Sequence, residues 1–256
     1  MRKRQRFVLS ALVLSSGLLL IQGVTLEIRY LLIAVMAGVA WILSAWSLKE
    51  GLNGIEWLTV TLPSVSFTVA VGLFYILLPQ AWWAKILIAV LFGIGEYALL
   101  LTANIFSVAA IRTIALFRAA SAVGFVMTLV TGFLLFDTIF SFRQAYWVNS
   151  LVIIGVGFLL IFPALWSVEL KPYITRKIVK YSWWSAVSLG IIASAICFWP
   201  ISISVSSLFV STMLYVLVGV FQHHLTERLF SRTLWEYLTV GIVVTITTLF
   251  TAGWGV

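Results

Sequence analysis

Long apolar runs separated by short polar connections dominate the chain from residue 7 to residue 254. A helix needs about 20 mostly apolar residues to cross the hydrocarbon core of a bilayer, and nine segments reach or approach that length. The pattern predicts an all-α fold, a polytopic transmembrane bundle of about nine spanning helices that forms a single integral membrane domain. The predicted spans are 7–23, 30–48, 57–78, 81–103, 119–140, 147–168, 183–199, 201–221 and 237–254.

The composition excludes an ordinary soluble protein. The chain is 62% hydrophobic and only 9% charged, whereas a soluble domain is about 45–50% apolar and about 25% charged. The only cysteine, Cys197, excludes an intrachain disulfide and a cysteine-rich zinc site. We expect a multi-pass protein of the cell (inner) membrane whose main partner is the lipid bilayer.

The basic residues predict how the chain is threaded. If the N-terminus is cytoplasmic and the nine spans alternate, thirteen of the sixteen Lys and Arg residues fall on the cytoplasmic side, as the positive-inside rule requires. The predicted C-terminus is therefore outside. The net charge of +8 is explained by topology, so no nucleic-acid partner is expected. MRKRQR resembles a signal-peptide start, but Ile21-Gln22-Gly23 is a poor cleavage site, so we expect a retained first helix.

Two connections deserve separate interpretation. Residues 104–118 are apolar but too short to cross alone, and they carry Arg112 and Arg118. They predict either a cytoplasmic interfacial helix or extensions of the fourth and fifth spans. The connection 169–182, ELKPYITRKIVKYS, is the most basic one, and we expect it to contact anionic headgroups at the cytoplasmic leaflet.

Glu96 is the main candidate functional residue. It lies in the apolar run GIGEYALLLTANIF, residues 93–106, about 11 Å from the cytoplasmic end of the fourth span at 1.5 Å per residue. A charged group at that depth is costly, so the carboxyl must be protonated, hydrogen-bonded, or reached by Arg112 or Arg118 from the rim. It is interpreted as a proton-coupling or substrate-binding acid, or else as a structural contact between helices. Asn104 is a weaker companion, because it could simply cap this helix.

Hydroxyl groups at helical spacing form further candidates for a substrate or proton path. Residues spaced i, i+3 and i+7 lie on one helix face, and two sets follow that spacing. They could line a polar path or solvate Glu96, or they could mark close helix packing. The first set is Thr61, Ser64 and Thr68, and the second is Ser204, Ser207 and Ser211. Pro63 and Pro163 lie within predicted spans and are expected to bend them.

The segment QHHLTER, residues 222–228, contains both histidines. His223, His224 and Glu227 are weak candidates for metal ligation, since two imidazoles and a carboxylate could bind zinc. Adjacent histidines diverge by about 100° on a helix, however, so a solvated helix edge is the simpler interpretation. No hydrolase, nucleotide-binding or metalloprotease motif occurs in the sequence, and no cofactor is expected.

The run TANIFSVAAIRTIALFRAASAVGF, residues 102–125, is similar to a stretch in an uncharacterised family of bacterial polytopic membrane proteins, a domain of unknown function. The resemblance covers about a tenth of the chain. It implies a bacterial source and a multi-pass fold, and it implies no activity.

Three functions remain open from the sequence. The first is a small-solute or lipid-related transporter in which Glu96 supplies the charge, and it predicts a cavity that reaches this residue. The second is a non-catalytic membrane scaffold or assembly factor, which predicts a tightly packed interior. The third is a lipid-acting membrane enzyme that uses the histidine segment at the cytoplasmic rim.

Overall fold

A computed structural model describes residues 3–21, 23–51, 54–78, 81–109, 114–171 and 173–253. These residues form helices joined by short turns, and they contain no strand. The helices are α1 (Lys3–Ile21), α2 (Leu26–Leu48), α3 (Glu56–Thr59), α4 (Leu62–Leu77), α5 (Trp82–Ala109), α6 (Ile114–Ser141), α7 (Tyr146–Glu169), α8 (Arg176–Ile196), α9 (Ile203–Leu225) and α10 (Ser231–Thr251).

The prediction of an all-α polytopic bundle is confirmed. Each of the nine predicted spans corresponds to a described helix or, for the third span, to α3 and α4 together. Among the described residues, eight of these stretches are long and apolar enough to cross a membrane. The exception is α8, whose first half contains Arg176, Lys177 and Lys180 besides two serines. The length and apolar composition of these helices therefore define a multi-pass membrane protein.

Pro63 interrupts the third span rather than bending it. The short α3 ends at Thr59, and α4 begins again at Leu62 with the proline in its first turn. Proline has no N–H to donate to the carbonyl one turn earlier, and its ring clashes with that carbonyl, whereas the first helical turn tolerates it. Pro163, in contrast, lies inside the continuous helix α7.

The described parts of 104–118 continue the neighbouring helices. Helix α5 extends to Ala109, and α6 begins at Ile114. The alternative in which this segment extends the fourth and fifth spans is therefore the one that the structure shows for these residues. Arg112 lies outside the described residues.

The helices group into two compact units. The first unit comprises residues 1–131 and 170–173. In it, α1 packs against α2 and α5, and α4 packs against the same two helices, so that these four elements surround a common core. The largest fully buried side chains of this core include Phe7, Tyr75 and Phe92.

The second unit comprises residues 132–169 and 174–256. Helices α7, α8 and α9 pack against one another, and α10 packs against α9. The contact between α7 and α8 is close because small residues face each other. A Cβ on Gly157 would lie 3.6 Å from the Cα of Ala186, and Ser150 Oγ donates to the carbonyl of Gly190 at 2.7 Å.

We expect Gly190→Ala to destabilise the second unit. The added methyl group would collide with the side chain of Ile154 and would lie 3.0 Å from the backbone oxygen of Ser150, so the two helices would have to separate. Overpacking of this kind costs about 1–3 kcal/mol, and it should lower the thermal midpoint of the purified protein in detergent. Gly155→Ala is the matched control, because nothing lies within 4 Å of the position of its Cβ. Equal midpoints for the two variants would contradict the packing described here.

An ion-pair cluster joins the start of α1 to Glu50, the second residue after the end of α2. Lys3 Nζ lies 3.3 Å from Glu50 Oε2, and Arg6 Nη1 lies 3.0 Å from Glu50 Oε1. The guanidinium carbon of Arg6 also lies 5.7 Å from the ring centroid of Trp46. Hydrogen bonds from Lys3, and then from Arg6, lower the pKa of the Glu50 carboxyl.

This cluster predicts a pH-dependent contribution to stability. Because the pKa of Glu50 is lower in the folded protein, the stabilisation is present above the ordinary glutamate pKa of about 4.3. It is lost as the pH falls from that value through the pKa in the folded protein. Glu50→Gln should lower the midpoint of thermal unfolding slightly at pH 7 and have no effect at the acid end of a pH series. Glu27→Gln, at an exposed site, is the control, and a pH-independent effect of Glu50→Gln would count against the ion pairs.

Candidate functional site

Glu96 lies on the buried face of α5 and is completely inaccessible, with 0% of its surface exposed. Phe92 and Leu100, one turn away on either side, are also buried, at 1% and 0% exposed. The other face of the helix carries Leu91 and Ile94, which are more than half exposed. The helix thus has one buried face and one exposed apolar face. Because Glu96 lies on the buried face, its carboxyl is held inside the protein and away from lipid.

Helix α4 covers this face of α5 at the level of the acid. The ring of Phe67 lies against Gly95, where a Cβ would be 2.6 Å from Phe67 Cζ. One turn earlier on α4, the hydroxyl of Ser64 is hydrogen-bonded to Oε1 of Glu96. The absence of a side chain at Gly95 thus allows the two helices to approach closely enough for the serine to reach the carboxyl.

A second serine extends this contact into a chain of hydroxyl groups. Ser44, on α2, is 1% exposed, and its Oγ lies 2.8 Å from Oγ of Ser64. The same Ser44 Oγ donates to the carbonyl of Ala40, one turn earlier, at 2.6 Å. Three helices of the first unit therefore contribute to one buried polar chain that ends at Glu96.

The number of available protons decides which form of Glu96 fits this chain. Each serine hydroxyl carries one proton, and an ionised carboxylate carries none. Two protons would then have to serve three contacts, and one contact would lack a hydrogen bond. A protonated carboxyl supplies the third proton, since Glu96 then donates to Ser64, Ser64 to Ser44, and Ser44 to the carbonyl of its preceding turn. All three contacts are hydrogen bonds only when the carboxyl carries a proton.

The surroundings also disfavour a charge at this position. Among the described residues, no cation forms an ion pair with Glu96, and neither Glu96 Oε2 nor Thr68 Oγ1 has a hydrogen-bond partner. Arg118, one of the two arginines considered as partners, is exposed. An isolated buried charge costs far more than a neutral carboxyl with one unsatisfied oxygen.

The other predicted residues of this unit do not contact the acid in the same way. Thr61 is buried, but its hydroxyl donates to the carbonyl of Trp57 at 2.6 Å. Asn104 lies more than two turns after Glu96 on α5 and is half-buried. Of the first hydroxyl set, Ser64 is thus the member that reaches Glu96.

The second hydroxyl set lies in the second unit and contacts a different acid. Ser207 Oγ donates to the carbonyl of Ile203 at 2.7 Å and lies 3.2 Å from Oδ1 of Asp137, which is 8% exposed. The single hydroxyl proton of Ser207 thus lies within reach of two acceptors, the carboxylate of Asp137 and the carbonyl of Ile203. Ser211 is buried and donates to the carbonyl of Ser207 at 2.7 Å, whereas Ser204 is exposed.

The histidine segment is not assembled into a metal site. His223 Nδ1 lies 2.9 Å from the carbonyl of Gly219, and His224 Nε2 lies 3.3 Å from the hydroxyl of Tyr181. Glu227 follows the end of α9 in a left-handed conformation with φ 57°. The part of the chain that the structure describes holds no group of three or more His, Cys, Asp or Glu side chains that could bind a metal ion.

Two functional candidates were not foreseen from the sequence. Ser44 sits outside both hydroxyl sets, and only the packing of α2 against α4 brings it to Ser64. Asp137, near the end of the fifth predicted span, is buried against Ser207 of another helix. The available signal was a carboxylate inside an apolar run, the same signal that identified Glu96.

Comparison of the chain with protein-family models, with curated proteins and with solved structures finds no match. No relative therefore assigns a role to Glu96 or Asp137, and their chemistry has to be inferred from their surroundings. The fold defines a multi-pass membrane protein, and each of its two compact units holds one buried acid bonded to a serine of another helix.

Proposed function

We propose that the protein is a proton-coupled transporter of a small solute in the cell (inner) membrane, with Glu96 as the group that binds and releases the proton. Ionisable residues inside membrane helices are costly and commonly mark ion or substrate pathways. The observation that carries the proposal is the hydrogen-bonded chain that runs from the carbonyl of Ala40 through Ser44 and Ser64 to Glu96. Each of its three contacts has its own proton when the carboxyl is protonated.

The proton chain gives Glu96 two states with different hydrogen bonding. With the proton bound, all three contacts are satisfied and the carboxyl is neutral in an apolar environment. When the proton leaves, the chain loses one hydrogen bond and the site gains a charge without a counter-ion among the described residues. A solute or water that reaches the carboxylate would compensate for both, and this is how proton release would be coupled to opening of the site.

Glu96→Gln separates the proposed role from a structural one. The amide of glutamine can donate to Ser64 as the protonated carboxyl does, so the hydroxyl chain and the fold should be retained. It cannot bind or release a proton at neutral pH, so coupled transport should fall to background. The measurement uses proteoliposomes loaded with the pH indicator pyranine, to which a panel of amino acids, sugars, nucleosides and organic cations is added.

The expected result is a solute that changes the internal pH in wild-type vesicles and has no effect in Glu96→Gln vesicles. Glu236→Gln is the control, because that carboxylate is 65% exposed and pairs with Arg232 within α10. Unfolding midpoints of the three proteins are compared in parallel. A Glu96→Gln variant with full transport would remove the acid from the mechanism.

A scaffold or assembly factor is the second candidate, and one observation favours it. Glu96 is 0% exposed, and the described conformation around it is closely packed, as expected for a dry interior. A scaffold of this kind would bind its partner through the basic residues of the α7–α8 connection and the start of α8. Neutralising Lys171, Arg176, Lys177 and Lys180 should then abolish co-purification of a partner identified with the wild-type chain, and unchanged co-purification would exclude this candidate.

A further inference from the structure

The exposed face at the start of α8 forms a groove that the role of Glu96 does not involve. Helix α8 packs on α7 through one face, which contains Ile178, Ser182 and Ala186, all 0% exposed. The opposite face holds a groove of about 370 Å³, a size within the range of small-molecule sites. The groove is lined by Ile174, Arg176, Val179, Lys180, Trp183 and Trp184.

We propose that this groove binds the headgroup of one anionic phospholipid from the leaflet that contains the α7–α8 connection. Arg176 and Lys180 are one turn apart on the same face of the helix, so a single phosphate can contact both. Arginine supplies paired donors that match phosphate oxygens, and lysine adds a point charge. Two cations in one groove define a discrete site, which goes beyond general attraction of the basic connection to the membrane surface.

The charges in the groove are not neutralised by the protein. Among the described residues, neither Arg176 nor Lys180 forms an ion pair, and both are exposed. The acid nearest in sequence, Glu169, accepts a hydrogen bond from Thr175 at 2.9 Å. The groove therefore presents two cations that an anion from outside the protein can complement.

The apolar lining identifies a lipid as the source of that anion. Trp183 and Trp184 are 51% and 59% exposed, and tryptophan is typical of the boundary between headgroups and hydrocarbon. At 1.5 Å per residue, they lie about 4.5–12 Å further along the helix than the two cations. Beyond them, Ile191 is 62% exposed on the same helix and offers a surface for an acyl chain. A phosphate, a glycerol backbone and a hydrocarbon chain thus meet matching side chains in that order.

The test measures which lipid remains bound to the purified protein. The full chain is reconstituted in nanodiscs of equimolar phosphatidylglycerol and phosphatidylcholine, released in detergent, and analysed by native mass spectrometry. The wild type should retain one phosphatidylglycerol with a preference of about tenfold or more over phosphatidylcholine, since each base contributes to anionic-lipid binding. The double variant Arg176→Gln/Lys180→Gln should lose this preference.

The matched control removes the same charge outside the groove. Lys177→Gln/Arg228→Gln also neutralises two exposed bases, neither of which lines the groove, and it should keep the preference. Equal losses in the two double variants, or no preference in the wild type, would overturn the proposal. So would displacement of phosphatidylglycerol by millimolar inorganic phosphate, because the site would then bind the anion and not the lipid. Thermal midpoints of the wild type in nanodiscs of each lipid provide a second readout, and equal midpoints would count against the site.

Discussion

Replacing Glu96 by lysine should prevent the folded protein from accumulating in the membrane. The site has 0% exposure and no carboxylate among its described contacts, so the ammonium would be buried without a counter-ion. A lysine at the centre of a spanning helix costs about 2.5–3.5 kcal/mol on insertion scales, and more by simulation. Glutamate avoids most of this cost because it can be neutral at this position.

Lysine has little opportunity to escape the penalty by reorienting. Its side chain is longer than that of glutamate, and the ring of Phe67 already fills the space over the adjacent Gly95. An ammonium could still donate to Ser64, as the protonated carboxyl does, but its positive charge would have no counter-ion among the described residues. Overpacking adds about 1–3 kcal/mol, and the sum is a large part of the 5–15 kcal/mol by which proteins are typically stable.

The measurement is the amount of monodisperse protein after detergent extraction, followed by size-exclusion chromatography. Glu96→Lys should give little or none, whereas Glu96→Gln should resemble the wild type, because glutamine preserves the donor to Ser64. Glu236→Lys makes the same substitution on the exposed face of α10 and controls for the change in net charge. A well-folded Glu96→Lys protein would mean that water reaches the site, and the buried hydroxyl chain would be wrong.

The spans could be predicted from the sequence because hydropathy is a local property. All nine predicted segments correspond to helical structure, and the helices are limited by the polar connections that the pattern indicates. The interruption before Pro63 was only partly foreseen, since a proline can either bend a helix or begin one. The choice depends on whether the preceding turn finds other hydrogen bonds, and here Thr61 supplies one through its hydroxyl.

The candidate site could be predicted only as far as single residues carry a signal. A carboxylate inside an apolar run is unusual on its own, so Glu96 was identified from the sequence. Its bond to Ser64 and the position of Ser44 depend on which helices pack together, which one sequence without relatives does not reveal. The same limit explains why the contact between Asp137 and Ser207 could not be predicted.

Reporter fusions should find the two ends of the chain on opposite sides of the membrane, with α8 as the decisive helix. Alkaline phosphatase, which is active only outside the cytoplasm, should be inactive when fused after Thr175 and active after Pro200. It should be inactive again after Arg228 and active after Gly253. This alternation follows from nine crossings with a cytoplasmic N-terminus.

The physical reason for including α8 is the distribution of charge around it. Its bases lie in its first two turns, and its second half, through Ile196, is apolar, so Arg176, Lys177 and Lys180 can remain at the cytoplasmic surface while the rest of the helix crosses. If α8 did not cross, Arg228 and Arg232 would move to the outer side, against the positive-inside rule. The fusion after Pro200 would then be inactive, the fusion after Arg228 active and the C-terminal fusion inactive.

Green fluorescent protein at the same four positions should give the complementary pattern, because it fluoresces only in the cytoplasm. Agreement of both reporters on the eight-crossing pattern would make the predicted topology wrong from α8 onward.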